Sequence, residues 1–106
     1  MSFIRFKLVF FTPASSTRSI LDYLFARHPQ TLGKIGNYDQ CAFVTRGTAK
    51  PVIGEPEKLT FVEEDRVELV VNDKGEYAEI KEAISTLKEI HPYEEVAYDV
   101  YRLEDF

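Results

Sequence analysis

Ile4, Phe6, Leu8 and Phe10 recur at every second position with Arg5 and Lys7 between them, the period of a strand with one buried face. Val9 and Phe11 make the far end of this strand apolar on its second face too, as expected if that end is central in a sheet or covered by another subunit. Thr12-Pro13 breaks the strand, and Ser15, Ser16 and Thr17 offer side-chain oxygens to cap the free N–H groups of a following helix. The period then lengthens. Ile20, Leu21, Leu24 and Phe25 share one helical face, and Pro29 after His28 closes a helix of about three turns.

Gly33 and Gly36 mark residues 32–39 as a turn-rich loop, where positive backbone angles are cheap. Residues 41–45 read as a short second strand. Residues 46–56 keep no consistent period and read as an irregular excursion. Residues 59–71 are rich in β-branched side chains, yet Glu63-Glu64-Asp65 divides them, so the pattern predicts a hairpin or a sharply bent strand pair around a solvated acidic turn. Asn72-Asp73-Lys74-Gly75 is a turn signal. Ile80, Ile84, Leu87 and Ile90 then form a second helical stripe, closed by Pro92. The last strand is expected to bury Val96, Tyr98 and Val100 and to leave Ala97, Asp99 and Tyr101 on its other face.

The order strand, helix, strand pair, helix, strand predicts an α+β, ferredoxin-like two-layer sandwich: an antiparallel βαββαβ sheet, with an extra hairpin or bent strand, carrying both helices on one face. At 106 residues with 44% hydrophobic content, residues 1–106 make a single domain able to bury roughly two thirds of its unfolded surface. No internal repeat or linker appears. Phe3, Val9, Phe11, Phe43, Val70, Ala97 and Tyr101 fall on the face without helices, and an apolar patch of that size predicts a homo-oligomer.

Cys41 is the only cysteine, which excludes an internal disulfide framework and suits a reducing, cytoplasmic setting. The alternating amino terminus reads as neither signal peptide nor membrane span. A net charge of −5 argues against nucleic acid, whose binding needs clustered Lys and Arg.

Candidate chemistry concentrates in residues 91–101, where an imidazole, three phenols and three carboxylates follow the second helix. His91, Glu94 and Glu95 carry nitrogen and oxygen donors suited to a divalent metal, His91 and Glu95 first among them, with further ligands required from Asp39, Cys41 or another subunit. The plainer alternative has His91 capping the last carbonyls of its helix and the glutamates solvated. Tyr38, Tyr93, Tyr98 and Tyr101 suit a pocket lining, or equally core and interface packing. Cys41 beside Ala42 and Phe43 reads more simply as a small buried residue than as a reactive thiol, and His28 as a helix-end residue. No Walker-type or dinucleotide motif and no nucleophile with an assured base is present.

Taken together, Gly33-Lys34-Ile35-Gly36-Asn37-Tyr38-Asp39-Gln40-Cys41-Ala42-Phe43, the shortened Thr45-Arg46-Gly47-Thr48 with Pro51-Val52-Ile53-Gly54, Val62-Glu63-Glu64-Asp65-Arg66-Val67-Glu68 and the closing His91-Pro92-Tyr93-Glu94-Glu95 resemble the small domain inserted in the Nif-three-like proteins. These are also described as dinuclear-metal, GTP-cyclohydrolase-type-two homologues. The resemblance spans nearly the whole chain and implies a stand-alone version of a CutA/PII-like domain, trimeric through edge-joined sheets. The dinuclear centre of that family lies in its larger core domain and needs several histidines, whereas only His28 and His91 occur here. The expected function is therefore a non-enzymatic binding or regulatory module, with a site at subunit boundaries built from Tyr38, Cys41, His91, Tyr93, Glu94 and Glu95. Its ligand would be a metal ion or a small metabolite. The alternatives are a purely structural oligomeric scaffold and a small hydrolase acting on a nucleotide-like substrate.

Overall fold

The computed structural model describes residues 3–49 and 61–106. Strand β1, Ile4–Pro13, leads through a 3-10 turn at Ala14–Ser16 into helix α1, Thr17–Arg27. Strands β2, Phe43–Ala49, and β3, Val62–Asp73, follow, then helix α2, Ala78–Ile90, and strand β4, Tyr98–Leu103. The four strands form one sheet in the order β2-β3-β1-β4, every pair antiparallel. This is the ferredoxin-like arrangement, with β1 and β3 central.

Alternation decides which face each side chain takes. Phe6, Leu8 and Phe10 of β1 and Val67, Leu69 and Val71 of β3 point to the helices, where Ile20, Leu24, Phe25, Ile80, Ala83 and Leu87 close the core. Each large apolar side chain removed from water this way contributes about 1.5–3 kcal/mol. No helix among the described residues is long and apolar enough to cross a membrane.

Four local expectations are corrected. The acidic run does not divide the third strand: β3 runs unbroken through Glu63-Glu64-Asp65, because alternation puts Asp65 on the helix face beside the start of α1. There its carboxylate is 2% exposed and accepts from Thr17 Oγ1 and Arg46 Nε, both at 2.5 Å. Residues 62–73 are thus one strand, and residues 59–60 of the expected hairpin lie outside the described residues. Second, no serine or threonine side chain caps α1, since the Thr17 hydroxyl is donated to Asp65 instead. Third, β2 starts two residues later and continues to Ala49, so Arg46-Gly47-Thr48 belong to the strand; Pro51-Val52-Ile53-Gly54 and the rest of the expected excursion lie outside the described residues. Fourth, Val100 is exposed, because β4 is an edge strand.

Asp73, the last residue of β3, is wholly buried and organises the start of α2. Its carboxylate accepts N–H bonds from Gly75, Tyr77 and Ile80 at 2.8–3.0 Å. Burial alone would raise its pKa, but these donors together outweigh burial and hold it below the usual carboxylate range. β3 thus carries an acidic anchor for each helix, eight residues apart on one face.

Candidate functional site

α2 ends at His91, whose N–H donates to Leu87 O at 2.9 Å. Its ring does not return to the helix carbonyls. Nδ1 accepts the Tyr93 N–H at 3.0 Å, which leaves Nε2 as the protonated nitrogen, and Nε2 donates to Phe11 O at 2.7 Å. The Phe11 N–H is bonded to Ala97 O at 3.1 Å. His91 therefore completes the β1 hydrogen bonding at the point where β4 falls away. The ring is buried and packs against Tyr93, centroids 5.2 Å apart.

Tyr93 reaches past the end of β1, and its hydroxyl donates to Glu64 Oε2 at 2.8 Å. Burial, with this bond to the carboxylate adding to it, holds the phenol pKa above its usual value. Glu94 and Glu95 turn away from His91. They line a hollow of about 300 Å³ with Lys88, Val96 and Tyr98, and the Lys88 ammonium sits 5.3 Å from the Tyr98 ring centroid. Among the described residues no three His, Cys, Asp or Glu side chains gather in a way that could hold a metal ion.

The other two candidates, Tyr38 and Cys41, lie elsewhere. Gly33 N–H donates to Val70 O and Cys41 N–H to Gly33 O, each at 2.8 Å, so their loop springs from β3 near Val70. Tyr93 meets the same strand at Glu64, six positions and about 20 Å away. One protomer therefore does not bring the two groups together. Cys41 is half-buried just before β2, with Sγ 3.9 Å from Asp39 O, and lines a hollow of about 200 Å³ with Lys7, Ile35, Phe43, Glu68 and Val70. His28 joins the helices, its Nε2 donating to Thr86 Oγ1 at 2.8 Å while that hydroxyl donates to Glu82 O.

A further hollow of about 260 Å³ opens on the helix-free face beside Glu64, walled by Phe11, Thr45, Gly47, Thr48, Ala49 and Arg66. The Arg66 guanidinium lies 5.9 Å from the Phe11 ring centroid. Sequence reasoning placed no site here, since Arg46 to Ala49 read as part of an irregular excursion; carrying the period-two pattern of the second strand through Gly47 aligns these side chains with Phe11 and Arg66.

The same face holds Phe43, 67% exposed, and Tyr101, 51% exposed. Val9 and Val70 on this face are nonetheless buried. Val9 sits between Glu68 and Asp99, its partners on the two neighbouring strands.

No protein-family model matches the chain. A GTP cyclohydrolase 1 type 2 homolog from Halalkalibacterium halodurans is 34% identical over 106 aligned residues, covering 92% of this chain and 27% of that protein. A solved Bacillus cereus protein related to NIF3 superposes with a TM-score of 0.79 at 33% identity, over 99% of this chain and 26% of the other. The divalent ion tolerance protein CutA1 from Ehrlichia chaffeensis superposes with a TM-score of 0.68 at 16% identity, over 96% of this chain and 83% of its own, a likeness of fold. The chain spans about a quarter of the length of the curated relatives it matches.

Proposed function

Because the chain is a CutA/PII-like domain, homologous to about a quarter of the GTP cyclohydrolase 1 type 2 homologues, we propose that it works as a small oligomeric binding or regulatory module with no reaction of its own. The observation that carries this reading is the helix-free sheet face, which displays Phe43 and Tyr101 beside half-open hollows whose walls one protomer leaves incomplete. A second copy laid against that face removes the aromatics from water and closes the hollows.

The side chains support binding over turnover. His91 has both ring nitrogens bonded within the fold, His28 directs Nε2 to a structural hydroxyl, and the Cys41 thiol, among the described residues, donates to the Asp39 carbonyl. None of these pairs makes a nucleophile and its base. A small polar metabolite suits the Glu94, Glu95 and Lys88 hollow better than a metal ion, because His91 does not face it; a cation there would need donors from a neighbouring copy.

Native mass spectrometry of the purified chain tests this directly. The expected spectrum holds a multimer, trimer first, with small-molecule mass retained; Glu94→Gln with Glu95→Gln keeps the multimer and loses that mass. A bare multimer from every preparation supports a scaffold instead. A monomer at micromolar concentration, or turnover on a panel of nucleotide-like substrates, overturns the reading.

A further inference from the structure

Residues 33–41 form a small self-braced finger. Cys41 N–H closes its base on Gly33 O, Ile35 and Tyr38 exchange backbone hydrogen bonds at 2.9 Å across Gly36-Asn37, and Lys34 Nζ meets Asp39 Oδ1 at 2.8 Å. Gly36 has φ 57°, the left-handed angle that so tight a reversal needs. Asn72 Nδ2 holds the finger to β3 through Lys34 O at 3.1 Å. Tyr38 at the tip is 73% exposed. A rigidly presented phenol loses little conformational freedom on docking, and side chains of this kind dominate interface energies.

The 260 Å³ hollow is the matching socket on the same molecule. It exceeds the roughly 150 Å³ that suffices for a benzene ring. Its walls suit a phenol: the Phe11 ring for edge-to-face contact, the Arg66 guanidinium for a cation–π contact and the Thr45 hydroxyl for the phenol O–H. The flanking charges match as well. Lys34 and Asp39, paired with each other, flank the phenol; Arg66, 3.7 Å from Glu68, and Glu64, which accepts from Tyr93, flank the socket, so docking sets each cation against an acid by exchange of exposed pairs. Since Tyr38 is exposed, it does not fill the socket of its own chain.

We propose that Tyr38 of one copy docks into the Phe11–Gly47–Arg66 hollow of the next, head to tail. The proposal rests on the self-association put forward above and names the contact that makes it. A head-to-tail contact uses two different patches, so it closes into a ring or runs on as a chain according to the rotation between copies.

Two variants and their mixture decide it, read by native mass spectrometry and sedimentation with circular dichroism confirming the fold. Tyr38→Ala removes the knob. Gly47→Phe fills the socket, and the backbone tolerates a side chain there because a Cβ would meet only Glu64 O, at 3.8 Å; Thr45→Trp fills the same socket should that variant fail to fold. Each alone is expected to self-associate at least tenfold more weakly than the unaltered chain. Mixed in equal amounts, they are expected to form a one-to-one pair that grows no further, since one intact knob and one intact socket remain. Variants that each assemble like an assembling parent chain overturn this contact alone. Two monomeric variants whose mixture stays monomeric overturn it as well. A monomeric parent chain instead overturns the oligomeric reading on which it rests.

Discussion

His91 illustrates how one side chain can look like chemistry and serve geometry. Its position beside two glutamates suggests a ligand set, but the buried ring joins the Phe11 carbonyl to the Tyr93 N–H. Replacing it with alanine strands a part-buried carbonyl, and buried groups left without a partner cost about 1–3 kcal/mol. His91→Ala is therefore expected to lower the urea midpoint by that equivalent and to loosen Tyr93 from Glu64, visible as increased accessibility of the phenol. An unchanged midpoint would show the ring to be dispensable. Asp65 and Asp73 make the complementary case. Both carboxylates are held below the ordinary value of 3.8, Asp65 chiefly by the Thr17 hydroxyl and by Arg46, against the opposing effect of burial. A depressed folded pKa stabilises the fold above the unfolded value and loses that contribution as pH falls through the folded one. Stability should thus be flat from neutrality to about pH 5 with respect to these groups and decline below about pH 4. Denaturant midpoints across this range check it, and Asp65→Asn should make the acid decline shallower.

Periodicity made β1, α1 and α2 legible, because each repeats one face for long enough that composition cannot disguise it. β3 was harder to read. Three consecutive acids look like a solvated break, and only the positions of Thr17 and Arg46 in space explain why Asp65 belongs inside. The candidate site was legible only in part for a related reason: sequence proximity groups His91 with Glu94 and Glu95, while the turn after α2 sends their side chains to different places. The loop before β2 shows the opposite, a local signal with a defined physical need behind it. Gly33 has φ 71°, and a Cβ there would lie 2.7 Å from Phe25 Cε1 and 2.8 Å from Cys41 N. Gly33→Ala is expected to cost about 1–3 kcal/mol in backbone strain with a similar amount from crowding, read as a lowered melting temperature. A variant as stable as its parent would mean that the loop can re-form without this close approach.

At the scale of the molecule, two helices cover one side of the sheet and leave aromatic side chains on the other. Alternation along β1 and β3 was enough to anticipate that imbalance, since it follows from which residues share parity. What alternation does not reveal is relief: that Thr45, Gly47, Phe11 and Arg66 leave a hollow, or that residues 33–41 stand up as a finger. Both depend on side-chain lengths meeting across strands brought together by long-range pairing. The two features turn a flat apolar surface into a directional one, and the mixed-variant experiment measures that direction.

The anchoring of both helices to β3 has a consequence for how the chain is made. β1 pairs with β3, β2 pairs with β3, and the hydroxyl at the start of α1 is held by Asp65. β1, α1 and β2 therefore precede in the chain the strand they depend on, and contacts so distant along the sequence are slow to close. β1, α1 and β2 gain their central strand only with β3, and Asp73 at its end then holds the start of α2, after which β4 closes the far edge against β1.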